Sequence, residues 1–289
     1  MKNIIILGHE NPDVDSIVSG YLLEKIMIKL GYNASFLIPD RAIEKETIDI
    51  LNKYNFDVRK YMKDINLEDK DNKYVLVDHN DRKLNGNIVC IIDHHPSSKD
   101  IKLDNYYNKK ISSTACFICM GNEYLLDKYD LKLAILATFI DTASFHTTKS
   151  RTIDKEWVLK ICKQYNFDYN ELYNDGLLLT NLDDLEKSSL NGLKKYSFYN
   201  LKVESSYIQI HYIDREKINS ILNILKKYVY VKKLDAFVFI VHNMGYFKSK
   251  YYLITRDNVI SKAYDKYTSR GNVIIPEVEK LLKINQNNK

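Results

Sequence analysis

The stretch "NIIILGHENPDVDSIVSGYLLEKIMIKLG" (residues 3–31) decides the fold class. A short β-branched run, 3–8, is followed by a polar turn and then by a segment, 17–31, with helical apolar spacing and a terminal glycine. That is a strand–loop–helix unit. Its loop, "GHENPDVDS" (8–16), sets His9, Asp13 and Asp15 within seven positions of the strand's end. Taken alone, Asn11-Pro12-Asp13 is also ordinary turn chemistry.

Moving outward, the pattern repeats. "SFLI" (35–38) reads as a strand and "IEKETIDILNKYN" as a helix. "KYVLVD" (73–78) and "IVCIID" (88–93) are apolar runs that each stop at an aspartate. "TACFICMGNEYLLDKYD" and "LKLAILATFIDTA" have helical spacing, the second running into Asp141. Strands alternating with helices predict an α/β domain with a mostly parallel sheet and helices on both faces. Beyond about residue 180 the strand-like runs "YIQIHYI" (207–213), "AFVFIVH" (236–242) and "YYLITR" (251–256) predict a smaller α+β domain with an antiparallel or mixed sheet. The expected boundaries are 1–182 for the first domain, 183–192 for a polar linker, and 193–289 for the second.

Composition narrows the function classes. The 289 residues are 45% hydrophobic and 28% charged, with 43 basic and 38 acidic side chains, a net charge of +5. That surplus is too mild and too dispersed to demand a nucleic-acid partner. The leading apolar run is about four residues long, too short for a signal peptide, and no run approaches the ~20 residues that span a bilayer. A reduced, cytoplasmic protein is expected. Cys116 and Cys119 have CxxC spacing inside the apolar "ACFICM", without the turn residues of a zinc or redox pair, and read as buried thiols.

Ligands in parallel sheets sit off the carboxyl ends of the strands. Three runs here finish there with Asp or His: "IIILGH", "VLVDH" and "CIIDHH". They bring together His9, Asp13, Asp15, Asp78, His79, Asp93, His94 and His95, with Asp141 at the end of a fourth apolar segment. One alternative is a set of strand-end helix caps paired with histidines. The other is a metal site. Imidazole and carboxylate without thiolate suit Mn²⁺, Co²⁺, Mg²⁺ or Zn²⁺. Four converging carboxylates repel one another, and two divalent cations relieve that repulsion. Such a pair, ~3.5–4 Å apart, can activate water and clamp a phosphoryl group.

"GHENPDVDS", "LVDHN" and "IIDHHP", in that order, resemble the motifs of the DHH phosphoesterase superfamily, and more narrowly those of its manganese-dependent (family II) inorganic pyrophosphatases. "ISSTACFI" (111–118) and "ATFIDTASF" (137–145) are similar to the next two signature segments. "TSRGNVIIPEVEKLL" (268–282) resembles the substrate-binding motif of the DHHA2 domain. The resemblance implies that His9, Asp13 and Asp78 hold one ion, and that Asp15, Asp78, His94 and Asp141 hold another, with Asp78 as bridge. It also implies two Mn²⁺ ions, with Co²⁺ or Mg²⁺ as alternatives, and a homodimer through the first domain. His95 would contact substrate or protonate the leaving phosphate. Asp93 and His79 would orient neighbours from the outer shell. Ser269, Arg270 and His146 would contact substrate.

The chain departs from that pattern in its cations. Gly271 stands where the family's Ser-Arg-Lys motif has lysine, His146 where the pyrophosphatases carry another, and Lys194 and Lys195 only approximate a third. Lys149 and Arg151 are available as substitutes, although Lys149 reads as solvated surface.

The expected function is hydrolysis of a phosphoanhydride, pyrophosphate first and short-chain polyphosphate second. A DHH-type phosphodiesterase acting on oligonucleotides or cyclic dinucleotides is the competitor, and the "GGGH"-like segment of those relatives is missing here. A regulatory protein that has lost catalysis is the third reading, and the intact ligand set opposes it.

Overall fold

The computed structural model describes residues 4–39, 42–82, 84–97, 101–198 and 200–287. The chain divides into two units, Met1–Leu178 and Leu179–Lys289.

In the first unit, β1 (Ile4–Leu7), α1 (Val14–Lys29), β2 (Ala34–Leu37), α2 (Lys45–Lys53), β3 (Lys73–Val77), β4 (Asn87–Asp93) and β5 (Tyr106–Asn108) precede four helices. These are α3 (Thr114–Cys119), α4 (Lys128–Thr142), α5 (Thr152–Tyr165) and α6 (Tyr169–Gly176). The five strands form an all-parallel sheet in the order β2-β1-β3-β4-β5. Leu7 pairs with Leu76, and Val77 with Ile92. The residues after β1, β3 and β4 therefore leave the sheet from one edge.

Alternation splits the strands between two faces. Ile6, Val75 and Val77 pack with Ile17, Val18 and Leu22 of α1 and with the interiors of α3 and α4. On α1, Gly20 lets the helix approach β2: a Cβ there would lie 2.2 Å from the Phe36 ring. The opposite face, Ile5, Leu7, Tyr74, Leu76 and Ile91, is covered by Ile65, Leu67, Leu84, Ile101 and Leu103. Those five residues lie in loops, which corrects the expectation of helices on both faces. Single apolar residues at irregular intervals suffice to cover it.

The run from Thr114 to Asp130, read as one helix, is broken. α3 ends after six residues, Gly121 adopts φ 84°, and Asp127 caps a new helix through a reciprocal box with Asp130.

In the second unit, α7 (Leu185–Ser189), β6 (Lys194–Phe198), β7 (Leu201–Ile210), α8 (Arg215–Val231), β8 (Ala236–Asn243), β9 (Lys248–Ile254), β10 (Val259–Tyr264) and α9 (Ile275–Asn287) follow one another. The sheet order is β10-β9-β8-β7-β6. All its pairs are antiparallel except β7–β8, which the α8 crossover joins in parallel. The sheet is thus mixed. Phe237, Phe239 and Val241 face α8, while Val238 and Ile240 face α9.

The expected linker 183–192 contains a short helix. Asp184 caps α7 by accepting from the Lys187 amide, and Leu182, Leu185 and Leu190 pack on the α8 side of the sheet. Its two leucines, with Leu182 just before it, are spaced for burial although their neighbours are polar. Among the described residues no helix is long and apolar enough to cross a membrane.

Candidate metal centre

Each strand end delivers its side chain through a local device. After β1, the His9 amide donates to Ser16 Oγ (3.0 Å), and the Ser16 amide donates to Asp13 Oδ1 (3.0 Å), making Asp13 the N-cap of α1. A Cβ at Gly8 would lie 2.2 Å from Ser16 Oγ, so the close turn requires glycine. Asp15, one residue into α1, accepts the amides of Thr114 (2.8 Å) and Ala115 (3.0 Å) at the start of α3. After β3 the backbone of Asp78 turns left-handed, φ 64°, and Thr114 Oγ1 donates to its Oδ1 (2.9 Å). A non-glycine residue in that region is costly and concentrates at functional sites.

Three groups of potential ligands result: His9, Asp13 and Asp78; Asp15, His94 and Asp141; and Asp78, His94 and His95. Within each, the ligand atoms lie within 4.8 Å of one another. Asp78 joins the groups. Its Oδ2 is 3.6 Å from His9 Nε2, and its Oδ1 is 3.4 Å from His94 Nε2. His94 Nε2 is also 3.5 Å from Asp141 Oδ2 and 3.9 Å from Asp15 Oδ2.

The donor atoms fit a hard or borderline cation. Asp78 Oδ2, His94 Nε2 and Asp141 Oδ2 are buried without a hydrogen-bond partner, and buried polar atoms are rarely left so. His9 Nδ1 lies 2.8 Å from the Glu10 carbonyl, and His94 Nδ1 3.2 Å from the Ile111 carbonyl. A carbonyl only accepts, which puts the proton on Nδ1 and leaves Nε2 as the ligand atom.

The electrostatics agree. Burial, and then the charge of Asp13, pushes the Asp78 carboxyl up to about 7. Burial, and then Asp78, raises Asp15. Burial opposes a charge on His9, but the hydrogen bond and charge of Asp13 and the charge of Asp78 outweigh it and lift the imidazole to about 10. A field that draws a proton this strongly draws a divalent cation as well.

The other expected residues have partners of their own. The His95 imidazole, two-fifths exposed, donates from Nδ1 to Asp93 Oδ1 (3.0 Å) and lies edge-on to the His94 ring at 4.3 Å. The hydrogen bond to Asp93 raises its pKa. Asp93 is buried and also accepts from Asn80 Nδ2 and the His95 amide. His79 is buried, donates from Nδ1 to the Val77 carbonyl (2.9 Å), and burial pushes it down to about 4. His146 is exposed, its Nε2 2.7 Å from the Tyr173 hydroxyl, and it is in none of the three ligand groups. Ser269 and Arg270 belong to the second unit. Ser269 caps the turn Arg270–Ile274, while Arg270 donates to the Gly192 carbonyl and lies 5.0 Å above the Tyr207 ring.

Lys149 is the residue the sequence reading misplaced. It is ion-paired with Asp141, Nζ to Oδ1 2.6 Å, rather than solvated surface. Nothing in a lone lysine of a polar loop signals this. Cys116 and Cys119 are buried free thiols, and burial pushes both up.

Residues 3–138 match the model of the DHH family, N-terminal domain. A Lactobacillus acidophilus protein assigned as a manganese-dependent inorganic pyrophosphatase is 25% identical over 302 residues, covering 96% of this chain and 94% of that protein. A manganese-dependent inorganic pyrophosphatase of Methanothrix thermoacetophila is 27% identical over 255 residues, covering 82% and 80%. Among solved structures, a Methanococcus jannaschii protein assigned to the family II inorganic pyrophosphatases shares the fold. Its TM-score is 0.60 at 21% identity, with 96% of this chain and 98% of that one covered.

Proposed function

Because residues 3–138 match the model of the DHH family, N-terminal domain, we propose that the protein is a metal-dependent phosphohydrolase that splits inorganic pyrophosphate into two phosphates. The observation that carries this reading is the shared carboxylate of Asp78, with one oxygen toward His9 and the other toward His94. His9, Asp13 and Asp78 would hold one ion. Asp15, His94, Asp141 and the second oxygen of Asp78 would hold the other. The names of the relatives and the nitrogen and oxygen donors favour Mn²⁺, with Co²⁺ or Mg²⁺ as alternatives. Ions so placed supply Lewis acidity toward water and a phosphoryl group.

The chain's own residues do the rest. Thr114 holds Asp78 and the α3 amides hold Asp15, so neither carboxylate must reorganise during turnover. His95, whose pKa the hydrogen bond to Asp93 raises, would deliver a proton to the leaving phosphate oxygen. The roles of Ser269 and Arg270 as substrate contacts rest on the resemblance of their motif.

The test is phosphate release with Mn²⁺ from pyrophosphate, tripolyphosphate and a dinucleotide, side by side, for the wild type and Asp78→Asn. Fastest release from pyrophosphate and an inactive variant support the assignment. Preference for tripolyphosphate or the dinucleotide reassigns the substrate, and equal rates for both proteins overturn the site.

A further inference from the structure

The segment after α4 has an unusual backbone. Ala143, Ser144 and Phe145, none of them glycine, follow one another at φ 45°, 53° and 69°. Three consecutive left-handed residues persist only where the surroundings hold them, and here they are held. Ser144 Oγ donates to the Tyr173 carbonyl (2.5 Å), and the Phe145 amide donates to Thr142 Oγ1 (2.9 Å). The Thr147 amide donates to the Thr142 carbonyl (3.0 Å), and the Arg151 amide to Ser112 Oγ (3.1 Å). The Arg151 guanidinium closes the loop on the carbonyls of Thr148 and Ser150.

The consequence of that turn is the position of Lys149. Its Nζ is 2.6 Å from Asp141 Oδ1, while Asp141 Oδ2 stays buried and partnerless, 3.5 Å from His94 Nε2. The Lys149 side chain is 41% exposed and that of Asp141 13%, so the ammonium stands on the solvent side of the ligand group. An ammonium carries three N–H donors, and one bond to Asp141 leaves two. On the same turn, Thr147 Oγ1 and Ser150 Oγ are buried without a partner. His146, which the sequence offered for this role, is bound to the Tyr173 hydroxyl instead.

We propose that Lys149 is a substrate-binding residue of this site, holding Asp141 with one N–H and taking a phosphoryl oxygen with another. The proposal rests on the phosphohydrolase reading and deepens it: the cation missing at 146 is supplied from the same turn after α4.

The test compares wild type, Lys149→Gln and Lys149→Arg as full-length, Mn²⁺-loaded proteins. Calorimetry reads the affinity for inorganic phosphate, steady-state kinetics reads KM and kcat for pyrophosphate, and equilibrium dialysis reads Mn²⁺ affinity. Loss of a charge-assisted contact should weaken phosphate binding and raise KM by about tenfold in Lys149→Gln, with Lys149→Arg within about threefold of wild type and Mn²⁺ affinity nearly constant in both. Unchanged phosphate affinity and KM in Lys149→Gln overturn the proposal. So does a loss confined to Mn²⁺ affinity, which would make Lys149 a support for Asp141 alone. A wild type that cleaves neither pyrophosphate nor tripolyphosphate overturns the hydrolase reading, and the phosphate titration still decides Lys149.

Discussion

The two units bury polar groups in opposite ways. In the second, His242 is 3% exposed, its Nδ1 is 2.9 Å from Ser249 Oγ, and its ring stacks on Tyr267 at 4.5 Å. Burial pushes that imidazole down to about 3, so it is a neutral, paired part of the core. In the first unit, the side chains of Asp15, Asp78 and His94 are equally buried, yet key acceptor atoms face one another without donors. Of eight buried side-chain polar atoms without a partner among the described residues, only Ser205 Oγ lies in the second unit. Satisfied burial serves stability, while unsatisfied burial of acceptors at converging strand ends marks a place prepared for a cation.

The largest test of that contrast is Asp78→Asn. Removing the shared charge should lower Mn²⁺-dependent phosphate release by about a thousandfold or more. The chelator-treated variant should nonetheless melt no lower than wild type. It loses a carboxylate whose charge burial and Asp13 disfavour, and asparagine tolerates the left-handed backbone at 78. Marked destabilisation would break the comparison, because Asp78 would then be structural.

His242→Ala should do the reverse. It removes a paired, stacked ring and leaves a cavity, costing about 2–4 kcal/mol in urea unfolding. A cost below about 0.5 kcal/mol, the range of ordinary surface changes, would place His242 outside the core the contrast assigns it to.

Gly8→Ala sharpens the contrast within the first unit. The added methyl must displace Ser16, which holds the His9 amide. Overpacking of this kind costs about 1–3 kcal/mol, and Mn²⁺ affinity should fall with it because His9 is re-aimed. Unchanged Mn²⁺ affinity in dialysis would detach His9 from the site.

The smallest effect is on pH, and its sign differs between the units. Asp78 is raised on folding from 3.8 to about 7, and His9 from 6.5 to about 10. Their protonated forms are favoured in the native state, so the stability carried by Asp78 is lost as pH rises from 3.8 to about 7, and that carried by His9 as pH rises from 6.5 to about 10. His242 is lowered from 6.5 to about 3, so its contribution is present above 6.5 and is lost as pH falls toward 3. His79, in the first unit, acts in the same direction as His242 down to about 4, which makes the range above 6.5 the clean window. In hydrogen exchange of chelator-treated protein, corrected for intrinsic rates, residues 4–18, which carry His9, should lose protection between pH 6.5 and 9 while 236–243 does not. Mn²⁺ should restore it. Equal loss in both segments would sink the contrast.

What was legible in the chain follows from these physics. The strands that sequence reading missed, β5, β6 and β10, are edge or short strands with exposed polar residues, such as "KKYSF" and "VISKAY". A strand paired on one side needs little apolar character, so periodicity is faint there. The central strands β1, β3 and β8 are buried nearly throughout and read clearly.

By itself the sequence determined a mostly parallel first sheet and the strand-end set His9, Asp13, Asp15, Asp78 and His94, while it left the second sheet antiparallel or mixed. Apolar runs that stop at Asp or His announce both a buried strand and the edge where its ligand sits. Only the tertiary structure decided that Asp78 divides its oxygens between two groups, that loops cover one face of the first sheet, and that Lys149 rather than His146 reaches Asp141. Those outcomes depend on a backbone that turns left-handed without glycine and on contacts between segments far apart in the chain. Neither leaves a periodic trace in the order of residues, because both arise only when packing elsewhere offsets the local strain.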